Sequence, residues 1–172
     1  MIELERTYLA KNLPKDLEVY PKKEVFDLYI PESHPHPVIR LRKNGDKYEM
    51  TKKEPVSGSD SSIQEEQTIA LEKDEFDALL RVQGRALRKI RYNYKKDGFN
   101  FDLDVFKDRL EGLVVVDIEF EKEKDKDSFV APDFCLKDVT QEKFIAGGML
   151  AGKSYEDIEK NLKKLGYKKI LE

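Results

Sequence analysis

Charged and aliphatic residues alternate with a period of two along many short segments of this chain. At the start, Glu3 and Glu5 alternate with Ile2 and Leu4. Because successive side chains of a β-strand point to opposite faces, this segment predicts a strand with one acidic and one aliphatic face. The same alternation recurs further along, and the polar face carries acids in some segments and bases in others. The pattern therefore predicts a mainly β chain.

Eight segments have the composition and the alternation of strands. They cover residues 2–9, 25–30, 38–43, 47–53, 63–71, 86–94, 99–106 and 113–121. Asn44-Gly45 and Asp97-Gly98 lie between neighbouring segments and are typical of the tight turns of β-hairpins. Consecutive strands are therefore predicted to be antiparallel.

Two other segments, 73–83 and 154–165, space their apolar residues as helices do, and a glycine that can end a helix follows each. Ser154 can cap the start of the second helix, with Asp157 three residues later. The run of charged residues from 121 to 127 is predicted to be a solvated connection.

Two predicted helices are too few to bury the apolar face of an eight-stranded sheet. Each strand alone fits an antiparallel sheet with one face on the core and one in water. Charge is segregated by strand, however, with acids on the first, seventh and eighth and bases on the third and sixth. We therefore predict a mainly β (α+β) fold: an eight-stranded antiparallel closed barrel, or tunnel, with a polar lumen and a few flanking helices. A homodimer interface is a candidate for covering the remaining outer apolar surface.

Composition narrows the class of ligand. The length of 172 residues predicts one domain over 1–172. Charged residues make up 39% but the net charge is only -3, so the overall basic field that nucleic-acid binding needs is missing. The sequence shows one cysteine, no signal peptide and no apolar stretch long enough to span a membrane. We therefore expect a cytoplasmic protein that binds neither nucleic acid nor membrane.

A lumen with charges of both signs suits a polyphosphate that is bound together with a metal ion. Arginine binds phosphate oxygens through paired hydrogen bonds, and lysine binds them as a point charge. Carboxylates hold Mg²⁺ or Mn²⁺, which prefer oxygen ligands and often bridge to substrate phosphates. The sequence shows no credible Ser, His or Cys arrangement that would form a covalent nucleophile.

Charged motifs follow the predicted strands in a specific order. The chain begins with Glu3-Leu4-Glu5-Arg6-Thr7, and it continues with Arg40-Leu41-Arg42, Thr51-Lys52-Lys53, Lys89-Ile90-Arg91, Asp102-Leu103-Asp104 and Asp117-Ile118-Glu119. Each motif alone is common, whereas their order and spacing along nearly the whole chain are specific. Together they resemble the CYTH superfamily, also called triphosphate tunnel metalloenzymes. Thr7 stands where the ExExK signature of that family has lysine.

The resemblance implies a tunnel that binds a triphosphate with Mg²⁺ or Mn²⁺. The implied phosphate-binding residues are Arg40, Arg42, Lys53, Lys89 and Arg91, with Lys143 as a further contact from the C-terminal segment. The implied metal ligands are Glu3, Glu5, Asp117 and Glu119. The implied catalytic acids are Glu5, Glu66 and Asp104.

The same resemblance implies metal-dependent hydrolysis of a triphosphate, and inorganic tripolyphosphate is the simplest substrate. A class IV-type adenylate cyclase that acts on ATP is the alternative among enzymes. Thiamine triphosphatase is disfavoured because the chain has no tryptophan to stack on the rings of thiamine. The non-enzymatic alternative is a module that binds polyphosphate or a nucleotide without turnover.

Overall fold

The computed structural model of this chain describes residues 1–58 and 60–171. The strands are β1 (Ile2–Ala10), β2 (Lys22–Ile30), β3 (Ile39–Asn44), β4 (Lys47–Pro55), β5 (Ile63–Leu71), β6 (Arg85–Lys96), β7 (Phe99–Phe106), β8 (Val114–Phe120) and β9 (Cys135–Asp138). The helices are α1 (Lys73–Leu79), α2 (Glu123–Ser128), α3 (Gly147–Leu150) and α4 (Tyr155–Lys164). The eight predicted strands are β1 to β8, and β9 was not predicted.

Strands β1 to β8 form a closed antiparallel barrel. Their order is β5-β4-β3-β2-β6-β7-β8-β1, and β1 pairs again with β5 to close the sheet. Both predicted hairpin turns are present, and Gly45, Asp97 and Gly98 adopt the positive φ angles that such turns require. The predicted eight-stranded antiparallel barrel with a few helices is therefore confirmed.

One edge of β1 is shared between two partner strands. Ile2–Leu4 pairs with β5, whereas Tyr8–Ala10 pairs with β9. Between these pairings, the amide of Thr7 donates to Oγ1 of Thr140 at 3.1 Å. The segment that follows β9 therefore continues the barrel wall where β5 diverges from β1.

The charged run from 121 to 127 differs from its prediction. It was predicted as a solvated connection, but most of it lies in α2. Its other residues are exposed, whereas the side chain of Lys126 is only 4% exposed and its Nζ donates to Oγ of Ser62 at 2.8 Å. The run is solvated as predicted except at Lys126, because a solvated helix can still bury one long side chain whose partner is distant in sequence.

An apolar layer fills one end of the barrel. It consists of the inward-facing residues at one end of five strands: Leu9, Tyr29, Leu87, Phe106 and Val115. This layer packs against α3 and α4 through Leu150, Ile158 and Leu162. Ser154 caps α4, as predicted, by accepting a hydrogen bond from the amide of Asp157. The C-terminal helices therefore form a lid on the apolar layer.

Chain segments and helices cover much of the apolar outer surface. Phe76 of α1 packs against Leu28 and Leu41 on the outside of β2 and β3. Leu17 and Phe134, from the segments after β1 and before β9, pack on the outside of β6 to β8. Among the described residues, no helix has both the length and the hydropathy that a membrane crossing requires.

Candidate functional site

The lumen of the barrel contains a charged cavity of about 640 Å³. This volume lies within the range of small-ligand sites. Every residue for which the sequence predicted a role lines it: Glu3, Glu5, Arg40, Arg42, Lys53, Glu66, Lys89, Arg91, Asp104, Asp117, Glu119 and Lys143. Acidic side chains outnumber basic ones along this lining.

The register of the strands explains why these side chains converge. Residues directly opposite each other on paired strands point to the same face of the sheet. Glu5 lies opposite Glu119, and Lys53 lies opposite Glu66. The alternation of each strand then repeats this inward direction every second residue. The charged face predicted from the sequence is therefore the inner face of the barrel.

Lys53 bridges the two carboxylates of the N-terminal motif. Its Nζ lies 2.6 Å from Oε2 of Glu5 and 2.9 Å from Oε2 of Glu3. Burial opposes the ammonium charge, but the attraction of Glu5 and Glu3 is stronger and raises the pKa of Lys53. Burial also raises the pKa of Glu5; Lys53 acts against this increase and the negative charge of Asp117 adds to it. The acidic pair thus carries its own internal cation.

A second ionic cluster surrounds Asp104, which is 1% exposed. Arg91 donates from Nε and Nη2 to the two oxygens of Asp104, both at 2.7 Å, and from Nη1 to Asp102 at 2.7 Å. Lys89 also donates to Asp104. Burial would raise the pKa of Asp104, but Arg91 and Lys89 hold it well below its ordinary value. Asp104 is therefore ionised, and it fixes both cations in the wall.

Arg42 makes a paired contact with Asp27, a residue that the sequence analysis missed. Nε and Nη2 of Arg42 donate to the two carboxylate oxygens of Asp27 at 2.6 and 2.8 Å. Although burial would raise it, the charge of Arg42 lowers the pKa of Asp27 to about 2. The signal in the sequence was an acid in the otherwise apolar segment 25–30, two residues from Val25 and Tyr29 on the same face.

Arg40 is less completely paired than the other lumen arginines. Its Nη2 lies 3.7 Å from Oε2 of Glu66, which is beyond hydrogen-bonding distance. Its Nε is buried and has no hydrogen-bond partner among the described residues. A buried donor without an acceptor costs about 1–3 kcal/mol of stability. The Nε–H of Arg40 is therefore well suited to donate a hydrogen bond to an oxygen of a ligand.

Thr7 occupies the position of the signature lysine and holds an acid. Its hydroxyl donates to Oδ1 of Asp117 at 2.8 Å. Burial and the neighbouring charge of Asp104 raise the pKa of Asp117, and burial and the charge of Glu3 raise that of Glu119. These acids therefore lie in a region with surplus negative charge.

The donor set fits a hard divalent cation by its chemistry. Glu3, Glu5, Asp117 and Glu119 offer carboxylate oxygens from the adjacent strands β1 and β8. Among the described residues, no three Asp, Glu, His or Cys side chains are arranged closely enough to hold a metal ion. The Lys53 ammonium instead lies between Glu3 and Glu5, where its single positive charge compensates part of the charge of the pair.

A polar network beside the cavity was also missed by the sequence analysis. Oδ1 of Asp60 accepts hydrogen bonds from the amide and hydroxyl of Ser62 and from Nε2 of Gln141, at 2.8–2.9 Å. These contacts join the chain before β5 to the segment after β9. Lys143, two residues beyond Gln141, is exposed and reaches the cavity from the same segment.

Comparisons with known proteins agree with this geometry. The sequence profile of the CYTH domain matches residues 1–136. The inorganic triphosphatase of Nitrosomonas europaea is 32% identical over 146 residues, which are 83% of this chain and 92% of that protein. The crystal structure of an inorganic triphosphatase matches with a TM-score of 0.63 and 28% identity, and it covers 88% of this chain and 95% of that one.

A more distant structure supports the fold alone. A conserved hypothetical protein from Pyrococcus furiosus matches with a TM-score of 0.51 and 19% identity, over 96% of this chain and 91% of that one. The sequence profile covers all eight barrel strands, β1 to β8, and the first two residues of β9. This chain therefore belongs to the CYTH domain family.

Proposed function

We propose that this protein hydrolyses a triphosphate, most simply inorganic tripolyphosphate, in its charged lumen with a divalent metal ion. The observation that carries the proposal is the meeting of arginines, lysines and an acid-rich wall in one cavity. Similarity to an inorganic triphosphatase over most of the chain supports the same reaction. A binding module without turnover and a cyclase remain outcomes of the experiment below.

The main contacts of the phosphate chain are expected to be with the arginines of β3. Arg40 carries a buried Nε without an acceptor, and a phosphate oxygen would satisfy it. Asp27 engages the Nε–Nη2 edge of Arg42, which leaves Nη1 of this cavity-lining residue for a phosphate oxygen. Lys53 and Lys143 add point charges to the site, while Lys89 and Arg91 contribute positive charge that Asp104 fixes in place.

The surplus of acids in the cavity supports a metal requirement, because those acids would repel a triphosphate without a compensating cation. Glu3, Glu5, Asp117 and Glu119 would hold the ion, and Mg²⁺ and Mn²⁺ both suit their oxygens. When bound, the ion would polarise a phosphoryl oxygen and neutralise charge that develops on it.

The predicted catalytic acids have different tasks in this proposal. Glu66 lies beside Arg40 and accepts a hydrogen bond from Thr68 at 2.8 Å, so it can orient a water near the phosphate chain. Glu5 contributes to catalysis as one of the residues that would hold the metal ion. Asp104 acts through Lys89 and Arg91 as a positioning residue.

One assay tests the proposal. Purified protein with Mg²⁺ or Mn²⁺ is incubated with tripolyphosphate, ATP or thiamine triphosphate, and phosphate, pyrophosphate and cyclic AMP are measured. We expect phosphate from tripolyphosphate, and we expect Glu5→Gln to reduce it at least about a hundredfold. Glu65→Gln changes an exposed acid of the outer face and serves as the matched control. Tight binding without products would support the binding module instead, and cyclic AMP from ATP would support the cyclase.

A further inference from the structure

Lys53 reaches the acidic pair across an intervening strand. It lies on β4, directly opposite Glu66 of β5, yet its ammonium contacts Glu3 and Glu5 on β1. Neighbouring strands are about 4.8 Å apart, so the side chain extends over β5 to make these contacts. A lysine side chain has four rotatable bonds, and the same stem can direct its ammonium elsewhere in the lumen. Lys53 therefore reaches this pair with an extended side chain, and a change of rotamer can withdraw its ammonium.

The oxygens that Lys53 contacts are the ones proposed to hold the metal. Nζ lies 2.6 Å from Oε2 of Glu5 and 2.9 Å from Oε2 of Glu3. A divalent ion needs carboxylate oxygens within about 2.0–2.6 Å, and it strongly repels an ammonium at the same position. The ammonium and the ion therefore compete for one pair of carboxylates.

We propose that Lys53 is an exchanging cation: it bridges Glu3 and Glu5 and compensates part of their charge before the metal binds, and it moves to the phosphate chain when the metal takes its place. This inference rests on the proposed function, because it assumes that metal and triphosphate share the lumen. Its consequence is positive coupling. The metal releases an ammonium that the phosphate chain can accept, and a bound phosphate chain removes the competitor of the metal.

Exchange makes a prediction that a purely phosphate-binding lysine does not make. Loss of such a lysine would leave the affinity for metal alone unchanged. Loss of an exchanging cation removes the competitor, so the protein should bind the metal more tightly when no phosphate is present. The side chains of Lys53, Glu3 and Glu5 are each between 17% and 21% exposed, so the solvent weakens this competition without abolishing it.

The experiment measures Mn²⁺ binding without turnover. Metal-stripped wild-type protein and variants are titrated with Mn²⁺, and free Mn²⁺ is followed by electron paramagnetic resonance. The variants are Lys53→Gln, which removes the charge, and Lys53→Arg, which keeps it. Lys52→Gln is the matched control, because Lys52 is the neighbouring residue on the outer face and pairs with Glu54. Each titration is repeated with imidotriphosphate, which resists hydrolysis, and circular dichroism verifies that each variant is folded.

We expect Lys53→Gln to tighten Mn²⁺ binding about tenfold or more in the absence of imidotriphosphate, whereas Lys53→Arg and Lys52→Gln remain close to wild type. Imidotriphosphate should tighten Mn²⁺ binding to the wild type more than to Lys53→Gln. If the wild type binds Mn²⁺ and Lys53→Gln binds it equally or more weakly, the exchange is wrong and the proposed function stands. If neither protein binds Mn²⁺, even with imidotriphosphate, both the exchange and the metal-dependent function are wrong.

Discussion

At the scale of single residues, the lumen charges form specific pairs. Asp27 holds Arg42, Asp104 holds Arg91, and the acidic pair Glu3 and Glu5 holds Lys53. The partners lie on different strands, and the Lys53 contact passes over a third strand. Each pair compensates the cost of burying its charges, which an isolated charge could not do. The lumen can therefore hold these charges only if the strand register brings each charged residue next to its partner.

Replacing Thr7 with valine tests the hydroxyl that stands in the position of the signature lysine. Thr7→Val keeps the shape but removes the donor to Asp117. Because Asp117 then loses one orienting hydrogen bond, we expect hydrolysis of tripolyphosphate to slow about fivefold, which corresponds to about 1 kcal/mol. Initial rates at saturating metal measure the effect. Thr7→Ser retains the hydroxyl and should stay near wild type; equal rates for valine and wild type would show that the hydrogen bond is not used.

The pairing of Asp27 with Arg42 predicts a loss of stability in acid. The pKa of Asp27 is about 2 in the folded protein, below its ordinary value of 3.8. A lowered pKa in the folded state contributes stability above pH 4, and this contribution is lost as the pH falls toward 2. We therefore expect the difference in the free energy of unfolding between wild type and Asp27→Asn to shrink by about 2 kcal/mol from pH 5 to pH 2.

Urea titrations at several pH values measure this difference. Asp77→Asn is the control, because Asp77 forms an exposed pair with Lys73 on α1 and should show little pH-dependent difference from wild type. A constant gap between Asp27→Asn and wild type across the same pH range would contradict the assignment of the low pKa to Asp27.

At the scale of elements, β1 is the strand on which the site depends. It supplies Glu3, Glu5 and Thr7, and it pairs with β8 along one edge. Along the other edge it needs both β5 and β9, and Thr140 bridges the interval between them. The hydroxyl of Thr140 also donates to Oδ1 of Asp138 at 2.6 Å. A short segment far along the chain therefore completes the strand that carries the acidic pair.

Removing this bridge is expected to destabilise the barrel. Thr140→Val leaves the amide of Thr7 without its acceptor and removes the hydroxyl donor to Asp138, which keeps the Thr140 amide and Arg6 as donors. We expect this to cost about 1–2 kcal/mol in the free energy of unfolding. Denaturant unfolding measures it, and Thr140→Ser, which keeps the hydroxyl, should lie close to wild type. An unchanged midpoint for Thr140→Val would mean that water replaces the bridge without loss.

The alternation of charged and aliphatic residues predicted the strands well, but it predicted the contacts between their side chains poorly. A period of two reports which face a side chain occupies, so it placed Arg40, Lys53 and Glu119 in the lumen correctly. It carries no information about the register between paired strands, which sets the contact of Asp27 with Arg42. It also cannot identify a partner as distant in sequence as the one that Lys126 contacts. Strand β9 escaped prediction because four residues are too few to establish a period.

At the scale of the whole molecule, the barrel separates an apolar end from a charged chamber. The apolar layer includes Leu87 and Phe106, and the next inward residues on the same strands are Lys89 and Asp104. One strand can therefore contribute to both regions within a few residues. The lid formed by α3 and α4 buries the apolar layer, so folding of the C-terminal helices supports the floor of the chamber.

This arrangement predicts how the protein treats long polyphosphate. The apolar layer fills one end of the barrel, so a long chain cannot thread through the lumen and must enter with one of its ends. We therefore expect release of short products from chain ends, while most of the long-chain substrate keeps its length during early turnover. Gel electrophoresis of polyphosphate several hundred units long, sampled over time, measures this distribution. Early fragments of intermediate length would require cleavage within the chain, and they would contradict a chamber with one entrance for phosphate.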